Sequence, residues 1–168
     1  PDKTMPEDNR HEAGPHARFH NVYGMLMSRA TYEGVKELRP ESRPFVLTRA
    51  TYGGGQRYAA TWTGDNRAQW PELGPSIAMA LNLGLCGQPF AGPDIGGFDT
   101  NMEGGGSPFA DVSPELHARW LEFGALLPIA RSHTIKGSMD REPYAYGEPW
   151  TSINRGSIER RYRLLPLL

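Results

Sequence analysis

Four short apolar runs in this chain each stop at a charged or titratable side chain. They are 43–49, ending on Arg49; 59–64, running into Asp65; 88–94, ending on Asp94; and 127–133, ending on Arg131 and His133. The later runs are separated by segments with the 3.6-residue apolar period of a helix. Buried strands that alternate with helices imply a parallel sheet. Open α/β sheets and barrels place their chemistry at the carboxyl ends of parallel strands. A polar residue at every tip therefore marks one rim as a candidate site, and a face of this kind is that of a barrel. The expected fold class is α/β, a partial (β/α)8 TIM barrel, since four strands make half of an eight-stranded one.

The helical segments follow from apolar spacing and end signals. From Asn21 to Leu38 the residues Val22, Leu26, Ala30 and Val35 share a face, with Met25 and Tyr32 beside them, and Pro40 follows the end. Residues 72–84 place Leu73, Ile77, Ala80 and Leu81 together, with Gly84 as C-cap. Ser113-Pro114-Glu115 begins a third helix, with Ser as N-cap and Pro at its first position. Its expected buried face is Leu116, Trp120, Phe123 and Leu127. A last helix from about residue 152 carries Ile158, Tyr162 and Leu165. Residues 1–20, with His11, His16 and His20 scattered among Pro, Gly and acids, read as a surface loop rather than a metal site. The Gly-rich connection 50–58 lacks the Lys-Ser/Thr of a P-loop and is too short for an ordinary crossover helix. The glycine pair Gly96-Gly97 would let backbone come close to a ligand.

At 168 residues the default is one domain, here 1–168 as a single unit. A net charge of −1 gives no reason to expect a nucleic acid or an anionic membrane as partner. No apolar run approaches the roughly 18–20 residues that span a bilayer. The single cysteine, Cys86, excludes an internal disulfide and reads as a small buried apolar residue. It leaves the compartment open, with the lean toward a reducing, cytoplasmic one.

The tips hold two aspartates, two arginines, a histidine and several aromatics, with no metal-ligand spacing. No nucleophile elbow supports acyl transfer, and no GxGxxG follows a strand, so no nucleotide cofactor is expected. Carboxylates with aromatics suit a carbohydrate: aromatic faces stack on sugar C–H groups, charged side chains hold hydroxyls, and paired carboxylates act at the anomeric carbon. Each residue also has a plainer reading. Asp65-Asn66 and Asp94 can be turn formers, Arg49 and His133 can satisfy structural hydrogen bonds, and Trp62 and Phe98 can be core.

The motifs, taken together and in order, resemble the catalytic domain of glycoside hydrolase family 31, the retaining α-glucosidases and α-xylosidases. They are His20-Asn21-Val22-Tyr23-Gly24, Arg43-Pro44-Phe45-Val46-Leu47-Thr48-Arg49, Gln56-Arg57-Tyr58 and Trp62-Thr63-Gly64-Asp65-Asn66. Gly92-Pro93-Asp94-Ile95-Gly96-Gly97-Phe98, Arg119-Trp120, Arg131-Ser132-His133, Arg141-Glu142-Pro143 and Arg161-Tyr162-Arg163-Leu164-Leu165-Pro166 continue the series. The resemblance covers nearly all of the chain and implies the C-terminal half of a (β/α)8 barrel that needs no cofactor or metal.

Asp65 matches the family's general acid/base, while Arg49, Trp62, Asp94, Phe98 and His133 match residues that hold the non-reducing sugar. In such a mechanism a protonated Asp65 gives its proton to the departing oxygen. A second carboxylate, roughly 5–5.5 Å away, attacks the anomeric carbon. The nucleophile's Trp-x-Asp-Met-Asn-Glu motif is missing from these residues, so the chain is expected to begin just after it and to end inside the last barrel helix. The 99–113 loop reads as longer than usual, and Cys86 stands where serine is common. The expected function is that of an α-glucosidase fragment, inactive alone, acting on an α-linked oligosaccharide or α-glucoside and partnered by the rest of the barrel. An α-xylosidase or a non-catalytic carbohydrate-binding half-barrel is the alternative.

Overall fold

The computed structural model describes residues 5–6, 8–99 and 112–168, so most of the 99–113 loop lies outside the described residues. Internal contacts divide the chain into two units, 1–59 and 60–168.

The first unit opens with an antiparallel pair, β1 (Arg10–His11) and β2 (Gly14–Pro15), in the register Arg10↔Pro15 and His11↔Gly14. A short helix α1 (His16–Phe19) and a 3₁₀ turn at His20–Val22 lead into α2 (Tyr23–Leu38). This corrects the expectation of an irregular surface loop over 1–20. His16 is buried, its Nδ1 lying 2.8 Å from His11 Nε2 and its Nε2 3.1 Å from His20 Nδ1. Both ring nitrogens of the buried His16 are met by neighbouring imidazoles, which a scan for metal spacing does not detect. On α2 the buried residue is Ser28, with Met25, Tyr32 and Val35 half-buried, whereas Leu26 and Ala30 are exposed. The inward face is thus rotated from the expected one. Ser28 tolerates burial because its hydroxyl donates to the Gly24 carbonyl at 2.9 Å. Of the apolar run 43–49 only β3 (Leu47–Thr48) is a strand, and the following connection holds one 3₁₀ turn, Gly55–Arg57.

The second unit alternates strand and helix. β4 (Ala60–Trp62) is followed by α3 (Trp70–Leu85), then β5 (Ala91–Gly92) and β6 (Asp94–Ile95), which flank Pro93. Next come α4 (Pro114–Gly124), β7 (Arg131–Ser132) and α5 (Trp150–Leu164). β4 pairs in parallel with β5 (Thr61↔Ala91, Trp62↔Gly92), and β6 pairs in parallel with β7 (Asp94↔Arg131, Ile95↔Ser132). In each of these two pairs the strands are parallel neighbours with a helix between them in the chain, which is the α/β pattern expected. Pro93 has no N–H to give and sits where pairing passes from one neighbour to the other.

The core lies between this sheet and α4. Ile95, Val112, Leu116, Trp120 and Leu121 form it, with Leu73, Phe123, Tyr146 and Ile158 packed around them. Ser113 caps α4, its Oγ accepting from the Leu116 N–H at 3.2 Å, and Pro114 takes the first position where no donor is needed. Leu127 falls beyond the helix, and Leu121, absent from the expected face, is buried instead.

Three further expectations on the helices are corrected. α3 runs to Leu85 and is capped one turn later than Gly84: Gln88 N–H donates to Leu83 carbonyl at 2.8 Å and Gly87 N–H to Gly84 carbonyl at 3.0 Å, a Schellman end with Gly87 left-handed. Its buried residues are Ser76 and Ala80, while Leu81 is exposed. On α5 the buried residues are Asn154 and Ser157, with Tyr162 and Leu165 exposed. Asn154 is accommodated by donating to the Pro143 carbonyl at 2.8 Å. Cys86, expected in the interior, is exposed, standing at the C-cap of α3 where the chain leaves the helix.

Candidate active site

The site is built at the carboxyl ends of β4, β6 and β7. The loops beyond them are stitched together through backbone bonds. The Asn66 carbonyl accepts from Phe98 and Asp99 N–H at 2.7 and 3.0 Å, and Asp99 carbonyl accepts from Ala68 N–H at 2.8 Å. Phe98 carbonyl accepts from Ile135 N–H and from Thr134 Oγ1, both at 3.1 Å. Asn66 is itself fixed, its Oδ1 accepting from Thr63 Oγ1 at 2.9 Å. Three tips that are distant in sequence therefore form one surface.

Asp94 is at its centre. Its side chain is fully buried, and Oδ1 accepts two bonds from Arg131, from Nε at 3.0 Å and from Nη2 at 2.6 Å. Oδ2 is buried and has no hydrogen-bond partner among the described residues. Burial pushes the Asp94 carboxyl above the usual carboxylate range; the hydrogen bond and charge of Arg131, then the charge of His133, pull the other way, and Asp65 adds to the rise. Burial wins, so the surroundings as a whole favour the protonated form more than water does. The Arg131 guanidinium also lies over the Trp62 ring, 5.3 Å from its centroid. His133 stacks on Phe98 with centroids 5.3 Å apart and 29° between planes.

Of the residues singled out in the sequence, the structure brings Trp62, Asp94, Phe98 and His133 into this cluster. Asp65 follows Gly64 beyond β4, exposed, and its charge is felt at Asp94. Arg49 lies just past β3 in the first unit and is exposed. The glycine pair is used differently from the expectation. A Cβ on Gly97 (φ +78°) would sit 2.6 Å from the Ala68 Cα and the Arg67 carbonyl oxygen, and one on Gly96 (φ +86°) 3.1 Å from His117. The close approach is to the protein's own loops, and the left-handed φ values alone favour glycine.

Sequence reasoning passed over two residues. Arg131 was noted at its tip but not as the ion-pair partner of Asp94. The available signal was its i, i+2 spacing from His133, which puts both on one face of a strand. Arg141, buried, donates from Nη1 to the carbonyls of Gly96 and Gly97; its local sequence carried no hint of that contact. Among the described residues no group of three or more His, Cys, Asp or Glu could hold a metal ion, and no helix is long and apolar enough to cross a membrane.

The sequence model described as the glycosyl hydrolases family 31 TIM-barrel domain matches residues 1–168. The chain is 45% identical over 167 residues to alpha-glucosidase 2 of Bacillus thermoamyloliquefaciens, covering 99% of itself and 20% of that protein. It is 44% identical over 171 residues to the glucosidase 2 subunit alpha of Saccharomyces cerevisiae, covering 17% of it. Among solved structures it is similar to a glucosidase II alpha subunit, with a TM-score of 0.86 and 42% identity over 97% of this chain and 17% of that one. It is likewise similar to a family 31 alpha-glucosidase from Bacteroides thetaiotaomicron, with a TM-score of 0.80 and 47% identity over 99% of this chain and 25% of that one. The chain thus spans about a fifth of the length of the curated relatives it matches. With the family's sequence model matched from end to end, this chain belongs to glycosyl hydrolase family 31, within its TIM-barrel domain.

Proposed function

We propose that these residues are part of a retaining α-glucosidase that releases glucose from the non-reducing end of α-glucosides. They would supply the C-terminal four strands and helices of a (β/α)8 barrel, 1–168 forming one fragment of that catalytic domain. The observation that carries the reading is Asp94: a fully buried carboxylate at a strand tip, one oxygen held by Arg131 and the other unpartnered, beside an aromatic stack. A buried acceptor without a donor is costly unless a ligand satisfies it, and a sugar hydroxyl does so. Phe98 and Trp62 offer ring surface to sugar C–H groups, and His133 offers a donor for a further hydroxyl.

Asp65 is the general acid/base. In the first step it gives its proton to the glycosidic oxygen as the C1–O bond breaks, and a second carboxylate bonds to C1 from the opposite face. That nucleophile belongs to a part of the enzyme outside these 168 residues. In the second step Asp65, now ionised, takes a proton from water, whose oxygen bonds to C1 and displaces the nucleophile, so the anomeric configuration is retained. No cofactor or metal takes part in this scheme. The α-glucosidase names of the relatives support the choice of glucose.

The test is Asp65→Asn in the full-length enzyme. Hydrolysis of an alkyl α-glucoside, whose leaving group needs a proton, should fall about 10²–10⁴-fold. A dinitrophenyl α-glucoside, which leaves unprotonated, should be far less affected in its first step. Equal losses of kcat/KM, which reads the first step, on both substrates would remove Asp65 from the acid role. The 168-residue chain alone should show no turnover, since one of two carboxylates that act as a unit is absent.

A further inference from the structure

Asp94 and Phe98 belong to one strand-end loop, and Arg131 and His133 to the next, yet the proposed sugar site needs all four in fixed relation. A single buried residue, Arg141, touches both. Its Nη1 donates to the Gly96 carbonyl at 3.1 Å and to the Gly97 carbonyl, between Asp94 and Phe98. Its own carbonyl accepts from Ser132 Oγ at 2.9 Å, between Arg131 and His133. The two carbonyls converge on one nitrogen because both glycines have positive φ, an arrangement left short of donors without the guanidinium. Behind this turn His117 is fully buried, with the Tyr146 ring 4.6 Å from its own, so the guanidinium has little room to swing away. Burial, then the Arg141 charge, hold the His117 imidazole down to about 4, so it stays neutral and does not compete as a second cation.

We propose that Arg141 is a positioning residue for the sugar site: it clamps the Gly96–Gly97 turn to the Arg131–His133 tip and so sets Asp94 and Phe98 against Arg131 and His133. The inference rests on the proposed role of Asp94. Arg141 itself touches no substrate. A lysine keeps the charge, but its flexible stem lacks the rigid guanidinium plane that holds Nη1 at the two carbonyls.

The experiment is a double-mutant cycle in the full-length enzyme, read as kcat/KM on an aryl α-glucoside with the thermal midpoint followed in parallel. Arg141→Met should lower kcat/KM roughly 10–100-fold through misplacement of the binding groups, and Arg141→Lys should recover part of that loss. In an Asp94→Asn background, Arg141→Met should add less than about threefold, because both changes act through the same carboxylate. Independent, multiplying losses would overturn the clamp, as would an Arg141→Met enzyme with unchanged kcat/KM. Should Arg141→Met not fold, Ser132→Ala removes the other arm and leaves the buried cation in place. It should show the same dependence on Asp94, and multiplying losses there would equally overturn the proposal. An Asp94→Asn enzyme with undiminished kcat/KM would sink the site reading and the clamp with it, whereas a crippled Asp94→Asn beside a normal Arg141→Met would sink the clamp alone.

Discussion

At the scale of single residues, Asp94 shows what burial costs a carboxylate. The desolvation of a carboxylate outweighs the attraction of Arg131 and His133, so the group sits above its ordinary titration range despite a two-bond ion pair. Arg131 is the larger of the compensating charges. Arg131→Met is therefore expected to destabilise the fold by roughly 3 kcal/mol, the low end for a broken buried pair because its side chain is a third exposed. The loss should be greater at pH 8 than at pH 5, since an unpaired Asp94 escapes its penalty by taking up a proton. Urea unfolding at the two pH values measures this, and an equal loss at both would mean that Asp94 is not the group affected.

At the scale of elements, α4 carries the core and the other helices lean on polar small residues. Trp120 is fully buried in the cluster with Ile95 and Leu116. Trp120→Ala should cost about 3–5 kcal/mol, read as a fall in the urea midpoint at unchanged slope. Ser113→Ala should cost about 1 kcal/mol by removing the cap on the Leu116 N–H. A Ser113→Asn variant should recover most of that, since Asn caps as well. By contrast α2, α3 and α5 turn Ser28, Ser76 and Ser157 inward. Apolar periodicity finds a helix and its length; it misplaces the face when close packing against a neighbour selects a small hydroxyl whose hydrogen bond is met locally, as Ser28 does through Gly24. That is why α4, with large apolar residues inward, was legible and the inner faces of the other three were not.

At the scale of the whole molecule, two histidines give stability a common pH dependence. His117 is held down to about 4, against 6.5 when unfolded, and His16 is also lowered, by burial first and then by the charges of His11 and His20. Between these values the unfolded chain binds more protons, so stability is complete above about pH 6.5 and declines as pH falls toward 4. His117 alone accounts for up to roughly 3 kcal/mol of that decline at 1.36 kcal/mol per pH unit. Asp94, raised rather than lowered, acts in the opposite sense below neutrality and offsets part of it. His117→Gln in the folded enzyme should flatten the profile between pH 4 and 6.5, and chemical denaturation across that window checks it; an unaltered slope would mean that His117 is not the proton sink. Several large apolar side chains also stand open, Leu38, Leu85 and Leu167 each more than three-quarters exposed. The 168-residue chain alone should therefore self-associate at micromolar concentration, as sedimentation would reveal.

The amino-acid order alone determined the alternation of strand and helix, the cap of α4 with Leu116 and Trp120 on its inner face, and the polar strand tips, because these depend on spacing within a few residues. Their family was legible from the motifs in series. Only the tertiary structure decided that Arg131 neutralises Asp94 and that Arg141 holds the Gly96–Gly97 turn. It alone showed that three histidines bond to one another and which sides of α2, α3 and α5 face inward. Those facts join residues up to 45 positions apart, as Gly96 and Arg141 are, and a chain does not encode in its local pattern which distant carbonyl will need a donor.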